Sequence, residues 1–132
     1  MMSLRAILIL VCALACGGCA DPRARAEAEL KNGGAAQLRH DAALLYKEMF
    51  SGAGRPDFVE VWFKNWPKSF QKLRPIHVGA YHDGFTIALR TSNGGESGLY
   101  IVPESMDYEP KAAPGVAFQK LADGIFWFQF GQ

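Results

Sequence analysis

The sequence predicts an α+β fold in which N-terminal helices pack on a small, mostly antiparallel sheet built from the hairpins 76–90 and 116–130. Three observations carry that expectation. Asp83-Gly84 lies between two runs of alternating apolar residues, the pattern of a tight β-hairpin. The runs VAFQKL and IFWFQF flank Ala122-Asp123-Gly124, a three-residue loop with glycine at its left-handed position. Upstream, Leu38, Ala42, Leu45 and Met49 recur at spacings of four, three and four, an apolar stripe on one helix face.

Residues 1–19 read as an export segment. Arg5 gives a positive start, Ala6–Ala15 is an apolar run of ten residues, and Ala15, Gly17 and Gly18 are small. This is the layout of a secretory signal, too short to cross a bilayer comfortably. Small residues directly before a cysteine resemble the signal of a bacterial lipoprotein, and the resemblance covers this segment only. It implies that Cys16 (after Ala13-Leu14-Ala15) or Cys19 (after Cys16-Gly17-Gly18) is diacylated and becomes the new N-terminus, with Cys16 preferred. The implied location is the cell envelope, with the body lipid-anchored and facing the periplasm or the exterior. Cleavage without acylation gives instead a secreted soluble protein, and no cleavage gives a plain anchor. All three cysteines fall in this segment, so the body has no disulfide framework, thiolate metal site or catalytic cysteine.

Residues 20–34 are expected to be a tether or weak helix: Asp21 is a good N-cap, Pro22 suits the first helical position, and Asn32-Gly33-Gly34 interrupts. A single domain then occupies 35–132. Ala35–Phe50 is its best helix, stopped by Ser51-Gly52, with Arg39, Lys47 and Glu48 off the apolar stripe. Asp57–Glu60 fits a capping box and FVEVWF fits a strand, and both readings stand. Pro67 ends that segment and opens a helical turn, PKSFQKL, that closes at Arg74-Pro75. Trp62, Phe63, Trp66 and Phe70 are assigned to the aromatic half of the core.

Pairing outward from Asp83-Gly84 sets His82 against Phe85, Ala80 against Ile87, Val78 against Leu89 and Ile76 against Thr91 on an apolar face. Tyr81 with Thr86, Gly79 with Ala88 and His77 with Arg90 form the other. Thr91–Gly98 is expected to be a flexible loop, Leu99–Val102 a short strand closed by Pro103, and 104–115 a long irregular connection. In the final hairpin Val116, Phe118, Phe126, Phe128 and Phe130 share one face, opposite Leu121, Ile125, Trp127, Gln119 and Gln129.

For function, composition excludes more than it assigns. Net charge is +1 and Arg5 belongs to the signal, so the body is neutral, which argues against nucleic acid and against electrostatic docking on anionic lipid. His77 and His82 are five positions apart on one strand and point to opposite faces, and His40 sits on the amphipathic helix, so no metal site is expected. Gly95-Glu96-Ser97-Gly98-Leu99 lacks the final glycine and the following helix of a nucleophile elbow. Calcium-loop, zinc-helix and phosphate-loop patterns are missing, and no cofactor is implied. The reading that follows is an envelope protein acting as a binding or assembly module without catalysis, its partner another envelope protein or a cell-wall component. Trp127, Ile125 and Leu121 are its candidate partner surface if the helices cover the opposite face. The alternative is a small envelope hydrolase using the loop carboxylates Glu96, Glu104, Asp107 and Glu109.

Overall fold

Six strands pair in the order β1-β2-β3-β4-β6-β5, every neighbour antiparallel, in a computed structural model that describes residues 21–50, 57–92 and 94–131. The strands are β1 (Phe58–Val61), β2 (His77–Tyr81), β3 (Gly84–Ser92), β4 (Gly95–Ile101), β5 (Val116–Ala122) and β6 (Ile125–Phe130). With one long helix beside them, the protein is α+β and mostly sheet.

Helix α1 (Pro22–Glu29) starts as its residues dictate. The Asp21 side chain accepts from the Arg23 amide, and Pro22 occupies the first turn, where no donor is missed. A kinked junction, Leu30–Gly34, leaves helical geometry at Asn32 and Gly33 before helix α2 (Ala35–Met49) begins. On α2, Leu38, Ala42 and Leu45 are buried in one apolar cluster with Val78, Ile87, Leu99 and Trp127, and Ala26 of α1 belongs to the same cluster. Off that stripe, Arg39 does structural work that spacing does not announce. Its Nε donates to the Val102 carbonyl at 2.9 Å, Nη2 donates to the Pro103 and Met106 carbonyls at 3.2 and 3.3 Å, and Nη1 meets Asp123 at 3.3 Å. One guanidinium thus satisfies the backbone where the chain leaves β4.

The β2–β3 hairpin exists, with its register two residues from the expected one. Tyr81 opposes Gly84, Ala80 opposes Phe85 and Val78 opposes Ile87, so His82-Asp83 is the loop and Gly84 is already strand. Strand side chains alternate with period two, so a shift of two leaves Val78, Ala80, Phe85 and Ile87 on one face, as expected. Gly84 serves a close approach instead of a turn: a Cβ there would lie 2.7 Å from the Ile101 carbonyl oxygen and 2.8 Å from the Tyr100 ring.

The expected loop over Thr91–Gly98 is a second tight hairpin. Thr91 pairs with Glu96 and Ser92 with Gly95, and Gly94 has φ of +81°; position 93 lies outside the described residues. The β5–β6 hairpin keeps its expected faces, with Phe118 against Phe128 and Gln119 against Trp127, and a bulge between Lys120 and Ala122. Its phenylalanine face joins Tyr100 and Val102 in a second, smaller apolar cluster, against which Met106 of the long connection packs.

Of the open alternatives around Asp57, the strand is found, and it ends early. Beyond Val61 the chain makes a single turn of 3-10 helix, Phe63–Asn65, and then helix α3 (Lys68–Gln71). That early end corrects the core assignment. Phe70 is fully buried and Trp66 partly so, but Trp62 is 70% exposed and Phe63 66%.

Candidate functional site

Cys16 and Cys19 lie outside the described residues. Among the described residues no helix is long and apolar enough to cross a membrane.

The trio read as a partner surface sits differently from that expectation. Ile125 is fully buried and Trp127 is 4% exposed, both in the cluster that contains the helix residues, with Leu121 partly buried against it. The Arg23 guanidinium lies 5.2 Å from the centre of the Trp127 ring and reaches Gln119 Oε1 at 2.8 Å. Side chains so covered offer no free apolar patch.

Each histidine has one carboxylate partner that sequence spacing did not reveal. His77 Nε2 is 2.6 Å from Glu96, His40 Nδ1 is 2.6 Å from Glu104, and His82 Nε2 is 3.1 Å from Asp57. His77 pairs across the sheet with Glu96, not Arg90, which instead binds Asp21 at 2.5 Å. Glu109 pairs with Lys120 at 2.9 Å. Three of the four loop carboxylates are therefore tied to separate partners on β2, α2 and β5. Among the described residues no group of three or more His, Cys, Asp or Glu side chains is placed to hold a metal ion.

A cleft of about 290 Å³ opens beside the β3–β4 turn, lined by Ser92, Glu96, Ser97, Gln129 and Phe130 among others. It contains a serine next to a carboxylate that binds a histidine. However, Glu96 and Ser97 are neighbours on β4 and project to opposite faces, so they cannot form a relay through His77.

Asp83, at the tip of the β2–β3 hairpin, accepts from the Tyr100 hydroxyl. Burial and then the Asp83 hydrogen bond push the Tyr100 hydroxyl well above the ordinary tyrosine value. Tyr108 moves the same way, through burial and then the nearby Asp83 charge, and Tyr81 is raised by burial and by Glu96. The Tyr100 hydroxyl stays protonated and acts as a fixed donor to Asp83, which suits a structural clamp.

The feature least explained by folding is the segment 62–76. It leaves the sheet at Val61 and returns at β2, with Val61 opposite Val78, so both ends emerge at one end of the sheet. Phe70 and Leu73 point inward and are buried, and the Trp66 indole donates to the Val61 carbonyl at 2.8 Å. These anchors hold the segment while Trp62, Phe63 and Ile76 stay in solvent, Ile76 at 53% exposure. Lys64, Lys68, Lys72 and Arg74 are exposed on the same segment. The signal available in the sequence was the absence of any acidic residue from 61 to 76, which the whole-chain balance averages away. This rim presents apolar and cationic side chains together.

Compared with protein-family models, curated proteins and solved structures, the chain matches none.

Proposed function

We propose that this is an exported bacterial envelope protein, held to a membrane through an acylated Cys16 or Cys19, whose body acts by binding and not by catalysis. In this reading the two N-terminal helices pack on one face of the sheet, and the segment 62–76 is the binding surface. The observation that supports it is the exposure of two consecutive aromatic side chains, Trp62 at 70% and Phe63 at 66%, on a segment anchored by buried Phe70 and Leu73. Large aromatics that are rigidly held yet solvated are what interfaces use, because they contribute area at little cost in conformational entropy.

The test has two parts. An intact mass spectrum of the protein purified in mild detergent from an exporting bacterium should show a species starting at Cys16 or Cys19 with added acyl mass. A full-length, unprocessed chain sinks the anchor. In the second part, crosslinking in the envelope is compared between the natural chain and the double variant Trp62→Ser, Phe63→Ser. Unchanged adducts in a folded variant would remove 62–76 as the surface.

A further inference from the structure

We infer that the partner of the segment 62–76 is an anionic phospholipid surface, so that the protein meets the membrane twice, through its acylated cysteine and through this rim. The inference deepens the binding reading above and rests on it for the anchor.

Three observations converge. The first is charge. Lys64, Lys68, Lys72 and Arg74 lie within thirteen residues of Trp62 with no acidic residue between positions 61 and 76, and all four are exposed. Among the described residues none of the four has a carboxylate partner. Glu60 on β1 and Asp41, which accepts from Ser69 at 2.5 Å, are the acids that flank the segment. The body as a whole is neutral, but this portion of it is cationic, and it is the local charge that an anionic surface attracts within a Debye length.

The second is the kind of apolar group. Trp62, Phe63 and Ile76 are exposed among lysines, the combination that partitions into the headgroup layer, aromatic rings at the boundary and ammonium groups toward phosphate.

The third is position. Strands β1 and β3 run in the same direction, since each is antiparallel to β2, and both run toward the end of the sheet that carries Arg90. Val61, where the segment departs, and Arg90 therefore lie toward the same end. Arg90 binds Asp21, the residue at which the described chain begins its first helix. Cys19 is two positions before Asp21 and Cys16 five, so an acylated cysteine lies within roughly 7 Å or 18 Å of Asp21 even if the linker is fully extended. The anchor holds the membrane at the end of the sheet from which the aromatic and basic segment projects. An acidic protein would meet the charge criterion equally, but nothing would then tie the surface to the anchored end.

The experiment uses the full chain purified from an exporting bacterium and reconstituted into vesicles of phosphatidylcholine alone or with roughly one third phosphatidylglycerol. Lysines are labelled with an impermeant acylating reagent and read by mass spectrometry. We expect labelling of Lys64, Lys68 and Lys72 to fall about threefold in the anionic vesicles and to recover in roughly 1 M salt, while Lys47 and Lys120 do not respond. Tryptophan emission should be quenched by brominated acyl chains, and the quenching lost in Trp62→Ser, Phe63→Ser. The triple variant Lys64→Glu, Lys68→Glu, Lys72→Glu should also lose it while keeping the native circular dichroism. Equal lysine labelling in the two lipids overturns the inference. So does protection by soluble polyglutamate in detergent without protection by vesicles, which would assign the rim to an acidic macromolecule. The intact mass of the same preparation separates the two ideas. Acyl chains without protection keep the anchor and remove the docking surface; protection without acyl chains does the reverse.

Discussion

The Tyr100 hydroxyl donates to the carboxylate of Asp83, joining the far end of β4 to the tip of the β2–β3 hairpin. Tyr100→Phe should lower stability by about 1.5 kcal/mol near neutral pH, because the partly buried Asp83 carboxylate then loses this hydroxyl donor. The folded-state value of Tyr100 is raised above the ordinary 10.0, so its contribution is complete below that pH. As the pH climbs past it, the unfolded chain releases the proton that the folded chain retains, and stability falls. The gap between natural chain and variant should therefore narrow above pH 10, which urea melts across the alkaline range will show.

Gly84→Ala should destabilise by about 2–3 kcal/mol, since the new methyl group meets the Ile101 carbonyl at 2.7 Å and backbone cannot give way as a flexible side chain can. If Gly84 were serving as a turn residue, the loss would come from its φ alone and hydrogen exchange in β4 would be untouched. A clash predicts faster exchange at Tyr100 and Ile101, and that measurement separates the two.

Arg39→Met keeps the aliphatic stem and removes the donors to Val102, Pro103 and Met106. Stripping three backbone carbonyls of the two guanidinium nitrogens that serve them is expected to cost about 2–4 kcal/mol. For a body of this size the melting temperature should drop by roughly 10 °C or more.

The two exposed and buried tryptophans make a controlled pair. Trp127→Ala opens a cavity in the main cluster and should cost about 3–5 kcal/mol, whereas Trp62→Ala should stay within about 0.5 kcal/mol. Denaturant unfolding of both variants decides it. A large loss for Trp62→Ala would mean that the side chain packs, and would remove the premise of the membrane-facing rim.

What could be read in advance followed from local periodicity. The α2 stripe, the capped start of α1 and the two faces of each hairpin depend on residues within one turn or one strand of each other. The β2–β3 register was missed, but the sidedness of Val78 and Ile87 was not, because alternation cares only about odd and even positions. Asn93-Gly94-Gly95 reads as a turn, but the polar run TSNGGESG around it hid the hairpin, because strands that carry Arg90, Glu96 and Ser97 need not be apolar there. The histidine–carboxylate pairs were not legible, since partners 19, 25 and 64 residues apart are brought together only by strand order and helix placement. The exposure of Trp62 was hidden for a related reason. A run such as FVEVWF does not say at which residue the strand stops, and one residue more of pairing would have carried its aromatics along the sheet.

Strand order imposes a sequence of events on a chain that emerges from its amino end. From β1 to β4 each strand meets its neighbour as soon as the next hairpin closes, but β4 then waits for β6, with β5 made and set aside in between. Until Ile125–Phe130 inserts, the unpaired edge of β4 and five aromatic or branched side chains of β6 are open to any other extended chain. Shortening or tagging the protein within those six residues would leave that edge exposed for good, and the consequence is aggregation during folding rather than a measured loss of stability.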